Sequence, residues 1–342
     1  MIKKNLFIIL TILLVSVLML SGCGNGQGNS ESASSNGQDS SEFSGIVPSY
    51  VANTGGAVYR TSAAIAKIFT DEGLMPNVQF SVEAAGGSPG NIRSILERYE
   101  EGRPAIGIVS TRDGAQAYQG VYEHVPGEHK ELRAIGYVDT ANIHLVVPAS
   151  SDIKTFSDLK GKNIGAPPGA AIEDTLKELL SSLGLEEGTD YQFQPYRNAE
   201  VQQAMRDGSL DAGAITDLIP SPAINETMSL TDIRILSLSE TEAENYLNEF
   251  APYAAVRTIE AGTYDGIDED LIIPVFTNHY ITHKDTPDDL IVNYLKAMMD
   301  YPEQLKAIVP GSEISKDNIL DGIEMPLHPA AEKYLREIGV LE

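Results

Sequence analysis

The chain has 342 residues and carries 24 Lys and Arg against 49 Asp and Glu, a formal net charge of −25. That field argues against nucleic acid and anionic lipid headgroups as partners recognised by charge. The one cysteine rules out an intrachain disulfide, and the absence of tryptophan disfavours a sugar-stacking site.

Lys3 and Lys4 begin the chain, and an apolar run from Leu6 to Leu20 follows, broken only by Thr11 and Ser16. Small residues and Cys23 come next, in "LSGC". This order reads as a secretory signal peptide over 1–22. The run is shorter than the roughly 20 residues of a spanning helix. The cysteine after Leu-Ser-Gly resembles the lipobox of bacterial lipoproteins. That resemblance implies cleavage before Cys23 and lipidation of its thiol. The protein would then sit on the extracytoplasmic face of the cell membrane, touching it through the lipid anchor only. The alternative is an ordinary signal peptide with an incidental cysteine. Loss of 1–22 removes Lys3 and Lys4 and no acid, so the mature chain is more negative still. Residues 23–45 are almost entirely Gly, Ser, Asn, Gln, Asp and Glu and read as a disordered tether. Its mean reach is about 25 Å. The remaining length suits one large or two medium domains.

From residue 46 strands and helices alternate. "VANTGG" runs from a strand into a glycine turn. Ala64, Ile65, Ile68 and Phe69 then recur at helical spacing. "NVQFSVEAA" alternates as a strand, and Ile92, Ile95, Leu96 and Tyr99 form the next helical stripe. "AIGIVS" is a short apolar strand, followed by a helix around Ala115–Tyr118. The second half repeats this logic. "NIGAPPGA" enters a Pro/Gly turn, and Ile172, Leu176, Leu179, Leu180 and Leu183 form one stripe before Gly184. "YQFQPY", a helix with Val201, Ala204 and Met205, and "LDAGAIT" complete the copy. The pattern predicts an α/β fold of two lobes, each a mixed sheet flanked by helices.

Ligands of open α/β sheets sit beyond the carboxyl ends of strands, near helix N-termini. Two facing lobes would form a cleft lined by Gly-rich turns. Beyond residue 250 come a strand, "LIIPVFTNHYITH", and two final helices, which pack most economically on the first lobe. The expected division is lobe I over 46–138 plus 256–342 and lobe II over 139–255. Two crossings between lobes would make a hinge that closes on a ligand.

Six stretches carry a family resemblance: "NTGGAVYR", "VEAAGGSPGNIRSI", "DLKGKNIGAPPGAAIEDT", "LDAGAITDLIPSPAI", "AGTYDGIDED" and "PLHPAAEKYLREIG". In this order and spacing they resemble the TAXI family of TRAP-transporter substrate-binding proteins, from about residue 49 to the end. The resemblance implies a two-lobed, type II periplasmic-binding-protein fold. It also implies capture of a small carboxylate-bearing solute, glutamate-like or a dicarboxylate, and delivery to the TRAP permease subunits. No enzyme activity and no cofactor are expected, and the protein is expected to be a monomer. Other readings are a binding protein of an ABC importer, a receptor feeding a sensor, and a secreted serine hydrolase.

The same resemblance places ligand contacts on the glycine turns. In the first lobe these are Thr54, Gly55, Gly56 and Tyr59, then Gly86, Gly87, Ser88 and Asn91, then Ser110, Thr111 and Arg112. In the second they are Gly169, Ala170, Ala171, Thr216 and Asp217, with Tyr253 near the second crossing. Backbone amides at Gly55 and Gly56 could approach an anion, and the hydroxyls and the amide of Asn91 supply short hydrogen bonds. Family members often read "QSD" where this chain has Ser110, Thr111 and Arg112. They often read "PPGSGT" where it has "PPGAAI", and "TGG" where it has Thr216, Asp217 and Leu218. Arg112 is therefore expected to take a ligand carboxylate as a planar fork. Asp217 or Asp139 would then meet an amine. The alternative is an Arg112 that faces solvent or pairs with a nearby acid.

Some patterns imitate chemistry. "GGSPG" fits G-x-S-x-G, yet Pro89 follows Ser88 and lacks the N–H that an oxyanion hole needs. His279 and His283 are four apart, but in a strand-like run they would stand about 13 Å from each other. No metal site is expected. Asp265, Asp268, Glu269 and Asp270 do not follow an EF-hand order. His328 is read as a helix-start cap.

Overall fold

The computed structural model describes residues 43–342 apart from Gly55 and residues 167–169. The signal segment, Cys23 and most of the tether lie outside the described residues. The apolar periods become elements in the expected order. The first half holds β1 (Gly45–Val51), α1 (Ala57–Asp71), β2 (Val78–Ala84), α2 (Ser88–Glu100), β3 (Ile106–Ser110) and α3 (Thr111–Gln119). A long strand, β4 (Leu132–Pro148), leads into the copy. The copy holds β5 (Lys162–Ala166), α4 (Ala170–Ser182), β6 (Tyr191–Pro195), α5 (Asn198–Arg206), β7 (Ala212–Asp217) and α6 (Pro222–Leu230). Then come β8 (Ile233–Ile235), α7 (Glu240–Glu249), β9 (Ala255–Ile259) and a second long strand, β10 (Leu271–His283). Three helices follow: α8 (Asp288–Met299), α9 (Pro302–Ile308) and α10 (Pro329–Glu337). The sequence pattern had suggested two; α9 is a seven-residue helix with one buried apolar residue, Leu305, too short for a visible stripe.

The strands order as β2-β1-β3-β10-β4-β7-β5-β6. Pairing is parallel within β2-β1-β3 and within β7-β5-β6. The two long strands are antiparallel to each other and to their outer neighbours. Each outer triple is thus the same unit, and β4 and β10 form a two-stranded ribbon between the units. Parallel strands need crossover helices, which cover both faces of each triple.

The core follows this division. Ile65, Ile68 and Phe69 of α1 pack with Tyr294, Leu295 and Leu335, so the C-terminal helices close back on the first triple. Ile92 and Ile95 of α2 pack with Val109 and Ile281 on its other face. Leu176, Leu179 and Leu180 of α4 pack with Ile164 and Tyr246 on the second triple.

Two boundaries differ from the sequence expectation. Phe43 packs against the first core and Gly45 opens β1, so the last residues of the expected tether belong to the folded unit. Phe43 is the one large apolar side chain there, and burial rewards it. Residues 256–275 were assigned to the first lobe. Instead Ile259, Tyr264, Ile273 and Val275 pack with Val146, Val201 and Ile215 of the second. The chain therefore returns to the first half in the middle of β10.

Candidate functional site

β3 is buried along its whole length and ends at Ser110. Ser110 caps α3: its Oγ accepts the Asp113 N–H at 3.1 Å. The capped turn fixes Thr111 and Arg112 at the helix start, where the backbone dipole favours negative charge. These three residues form one wall of a cleft of about 150 Å³. Ala171 and Thr175 of α4 face them, with Pro252, Tyr253 and Ala255 beside β9. Phe276 and Thr277, at the centre of β10, and Gly322, between α9 and α10, complete the lining.

Arg112 is 8% exposed. Its Nη2 forms an ion pair with Glu178 of α4, and its guanidinium carbon lies 5.8 Å from the ring centroid of Tyr253. Its Nε has no hydrogen-bond partner among the described residues. Burial pushes the Glu178 carboxyl up, although Arg112 opposes the shift. Asp174, also on α4, is pushed up in the same way. A buried guanidinium with an unsatisfied Nε–H is short of one acceptor.

Thr111 is held from behind. Its hydroxyl donates to the Thr277 carbonyl at 3.2 Å, and its Oγ1 also lies 3.2 Å from His279 Nδ1. The other ring nitrogen, Nε2, stands 2.6 Å from the Asp321 carbonyl. Gly322 follows with φ at +67°, and a Cβ there would come within 3.3 Å of Thr111 Oγ1. A glycine is what this close turn requires. Under α3, burial raises the Asp113 carboxyl, while the Ser88 and Ser110 hydroxyls draw it partly back.

Of the expected ligand contacts, Ser110, Thr111, Arg112, Ala171 and Tyr253 line this cleft together. Gly55 and Gly169 lie outside the described residues, and Ala170 opens α4. Thr54, Gly56, Tyr59, Gly86, Gly87, Ser88, Asn91, Thr216 and Asp217 are not among the residues lining this cleft. Several have other work. Gly87, with φ at 85°, makes the turn into α2. Ser88 Oγ accepts the Ser110 N–H at 3.2 Å, and Asn91 Nδ2 donates to the Ile108 carbonyl at 2.6 Å. Both brace β3 rather than the cleft.

Asp217 accepts from Arg60 at 2.8 Å, from the Leu218 N–H and from the Ser221 hydroxyl. Asp139 accepts from Asn278 at 2.8 Å in the middle of the ribbon, where burial pushes it up to about 6. Neither acid lines the cleft, so the amine partner expected of them is not placed there. Arg112 is buried and paired, not solvent-facing.

The sequence reading did not single out Thr175, Phe276, Thr277 or Gly322. A signal existed: Thr277 and Asn278 end the apolar start of "LIIPVFTNHYITH". His279 and His283 share that strand, and each Nε2 meets a backbone carbonyl. Among the described residues no group of three His, Cys, Asp or Glu could hold a metal ion. His328 caps α10, its Nδ1 accepting the Ala330 N–H at 3.2 Å.

Residues 51–339 match the profile of the NMT1-like family. The chain belongs to the NMT1-like family. The fold of this NMT1-like chain is similar to that of a solved periplasmic transporter, at 15% identity over 86% of this chain and 92% of that one, with a TM-score of 0.52. It is also similar to the periplasmic binding protein BugD, at 12% identity over 85% of this chain and 94% of that one, with a TM-score of 0.51. The fold is accordingly that of periplasmic binding proteins. Each triple with its helices is one lobe, and the cleft has walls from both.

Proposed function

We propose that this protein is an extracytoplasmic solute-binding receptor of the TAXI type. It would capture a small carboxylate-bearing solute and deliver it to a TRAP permease, without catalysis. The observation that carries the reading is the buried Arg112, its Nε–H unsatisfied, lining a cleft whose walls come from both lobes. Six sequence stretches in the family's order support the TAXI assignment. Lipidation at Cys23 would hold the receptor at the membrane face.

The mechanism is a shift of population. An open form admits the solute, and contacts from α4 and Tyr253 favour the closed form. The ligand carboxylate would meet Arg112 in competition with Glu178, which already holds one of its donors. A hydrogen bond to a charged partner contributes about 1.5–3 kcal/mol. Micromolar binding needs about 8 kcal/mol, within reach of a few such bonds plus closure.

The test is a thermal-shift panel of amino acids, oxo acids and dicarboxylates, followed by titration calorimetry on Arg112→Ala and Glu178→Gln. Arg112→Ala is expected to lose carboxylate binding and Glu178→Gln to strengthen it several-fold. Unchanged affinity in Arg112→Ala would remove the carboxylate role. A mass spectrum of co-purified solute identifies the natural ligand.

A further inference from the structure

We propose that Thr111 is a specificity residue that offers the cleft only lone pairs, so the ligand group seated against it carries an N–H or O–H donor. The proposal rests on the receptor reading above and adds the hydrogen-bond polarity of one subsite.

A backbone carbonyl only accepts, so the 2.6 Å contact of the Asp321 carbonyl requires a proton on His279 Nε2. His279 is 2% exposed on β10, and burial lowers its pKa to about 4, so the ring is neutral near pH 7. A neutral ring with Nε2–H has a bare Nδ1, an acceptor, 3.2 Å from Thr111 Oγ1. The second neighbour of Oγ1 is the Thr277 carbonyl, also an acceptor at 3.2 Å. The single hydroxyl proton of Thr111 points to one of these two and is committed inward in either case. What remains for the cleft is oxygen lone pairs.

Gly322 keeps the arrangement open, because a Cβ there would press on Thr111 Oγ1 at 3.3 Å. His279 is a positioning residue: its bare Nδ1 is the second inward acceptor beside Thr111 Oγ1, with the Thr277 carbonyl as the first. With Arg112 as the acceptor-seeking group one residue on, the site favours a solute with a carboxylate at one point and a hydroxyl or ammonium near it. A 2-hydroxy or 2-amino acid has that pattern. A 2-oxo acid would set an oxygen acceptor against an oxygen acceptor.

The experiment has two arms on the mature chain. The first records ring nitrogen shifts of ¹⁵N-histidine-labelled protein, with His279→Gln to assign the signal. A neutral Nε2–H tautomer near pH 7 is expected; an Nδ1–H tautomer or a charged ring overturns the role given to His279 and leaves the Thr277 carbonyl as the one acceptor of the Thr111 proton. The second titrates glutarate, 2-hydroxyglutarate, glutamate and 2-oxoglutarate, with propionate, lactate, alanine and pyruvate as the short set. The hydroxy or amino member should bind about tenfold more tightly than its oxo partner, the difference one hydrogen bond supplies. Thr111→Val should erase that preference and Thr111→Ser should keep it. A preference for the oxo acids, or one that survives Thr111→Val, overturns the proposal. Failure of all eight acids to bind would overturn the carboxylate reading itself, while the nitrogen shifts still decide whether His279 Nδ1 accepts beside Thr111.

Discussion

Arg60 Nη2 donates to Asp217 Oδ1 at 2.8 Å, tying α1 of one lobe to the end of β7 in the other. The two partners are unequal. The Asp217 side chain is 6% exposed and also accepts the Leu218 N–H at 2.9 Å and the Ser221 hydroxyl at 3.2 Å. The Arg60 side chain is 38% exposed. Removing Asp217 therefore strands buried donors, while removing Arg60 gives up a bond that water partly screens. Asp217→Ala is expected to cost about 1–3 kcal/mol and Arg60→Ala about 1 or less. Urea denaturation of both variants measures the contrast; equal losses would contradict it.

Asp139 and His144 act on stability with opposite signs. Burial raises Asp139 to about 6, so between about 4 and 6 the folded chain holds a proton that the unfolded chain has released. Stability from this group falls as pH rises through that window. Burial lowers His144 to about 4, so between about 4 and 6.5 the unfolded chain holds the extra proton. Stability from this group rises with pH. Each displacement is worth on the order of 3 kcal/mol. Relative to wild type, Asp139→Asn should rise more steeply in Tm from pH 4 to 6, and His144→Gln should rise less or decline. Parallel curves for all three proteins would refute both assignments.

Gly322 has φ at +67°, and an added Cβ would lie 3.3 Å from Thr111 Oγ1. Gly322→Ala should lower stability by about 1–2 kcal/mol through backbone strain alone. It should also weaken solute binding, because the strain is adjacent to the cleft. Gly339, with φ at +75° and open space around its Cβ, is the control: its alanine variant should lose stability and keep binding. Calorimetry and thermal melts separate the two effects.

Tyr253 offers a ring to the Arg112 guanidinium at 5.8 Å. Tyr253→Phe keeps that face and Tyr253→Leu removes it. A cation held over a ring is worth about 0.5–2 kcal/mol. Solute affinity should stay within about twofold in the first variant and drop several-fold in the second, by titration calorimetry. Equal behaviour would show that the ring face is not used.

The fold was legible because apolar spacing survives in a single sequence. The stripe Ala64, Ile65, Ile68, Phe69 is the buried face of α1, and Leu176, Leu179, Leu180 is that of α4. The repeated strand–turn–helix order likewise reappears as two matching triples. The cleft was legible where it coincides with a strand end, at Ser110 to Arg112. It was opaque where it depends on chain returning from far away. Gly322 and Thr277 reach Thr111 only because β10 threads between β3 and β4 and a loop after α9 folds over it. No local period encodes that. Glu178 was hidden for a related reason: its charge reads as an ordinary polar helix position until α3 is placed opposite.

The two long strands have a mechanical meaning. β4 and β10 run antiparallel from one lobe into the other, hydrogen-bonded along their shared length, with register shifts at Asn278/His279 and Tyr280/Ile281. Parting the lobes without tearing the sheet would have to flex this ribbon, and the shifts are where a ladder bends most easily. A continuous ribbon of this kind would resist bending as a leaf spring does, so any change in the angle between the lobes would meet an elastic recoil that a loose pivot lacks.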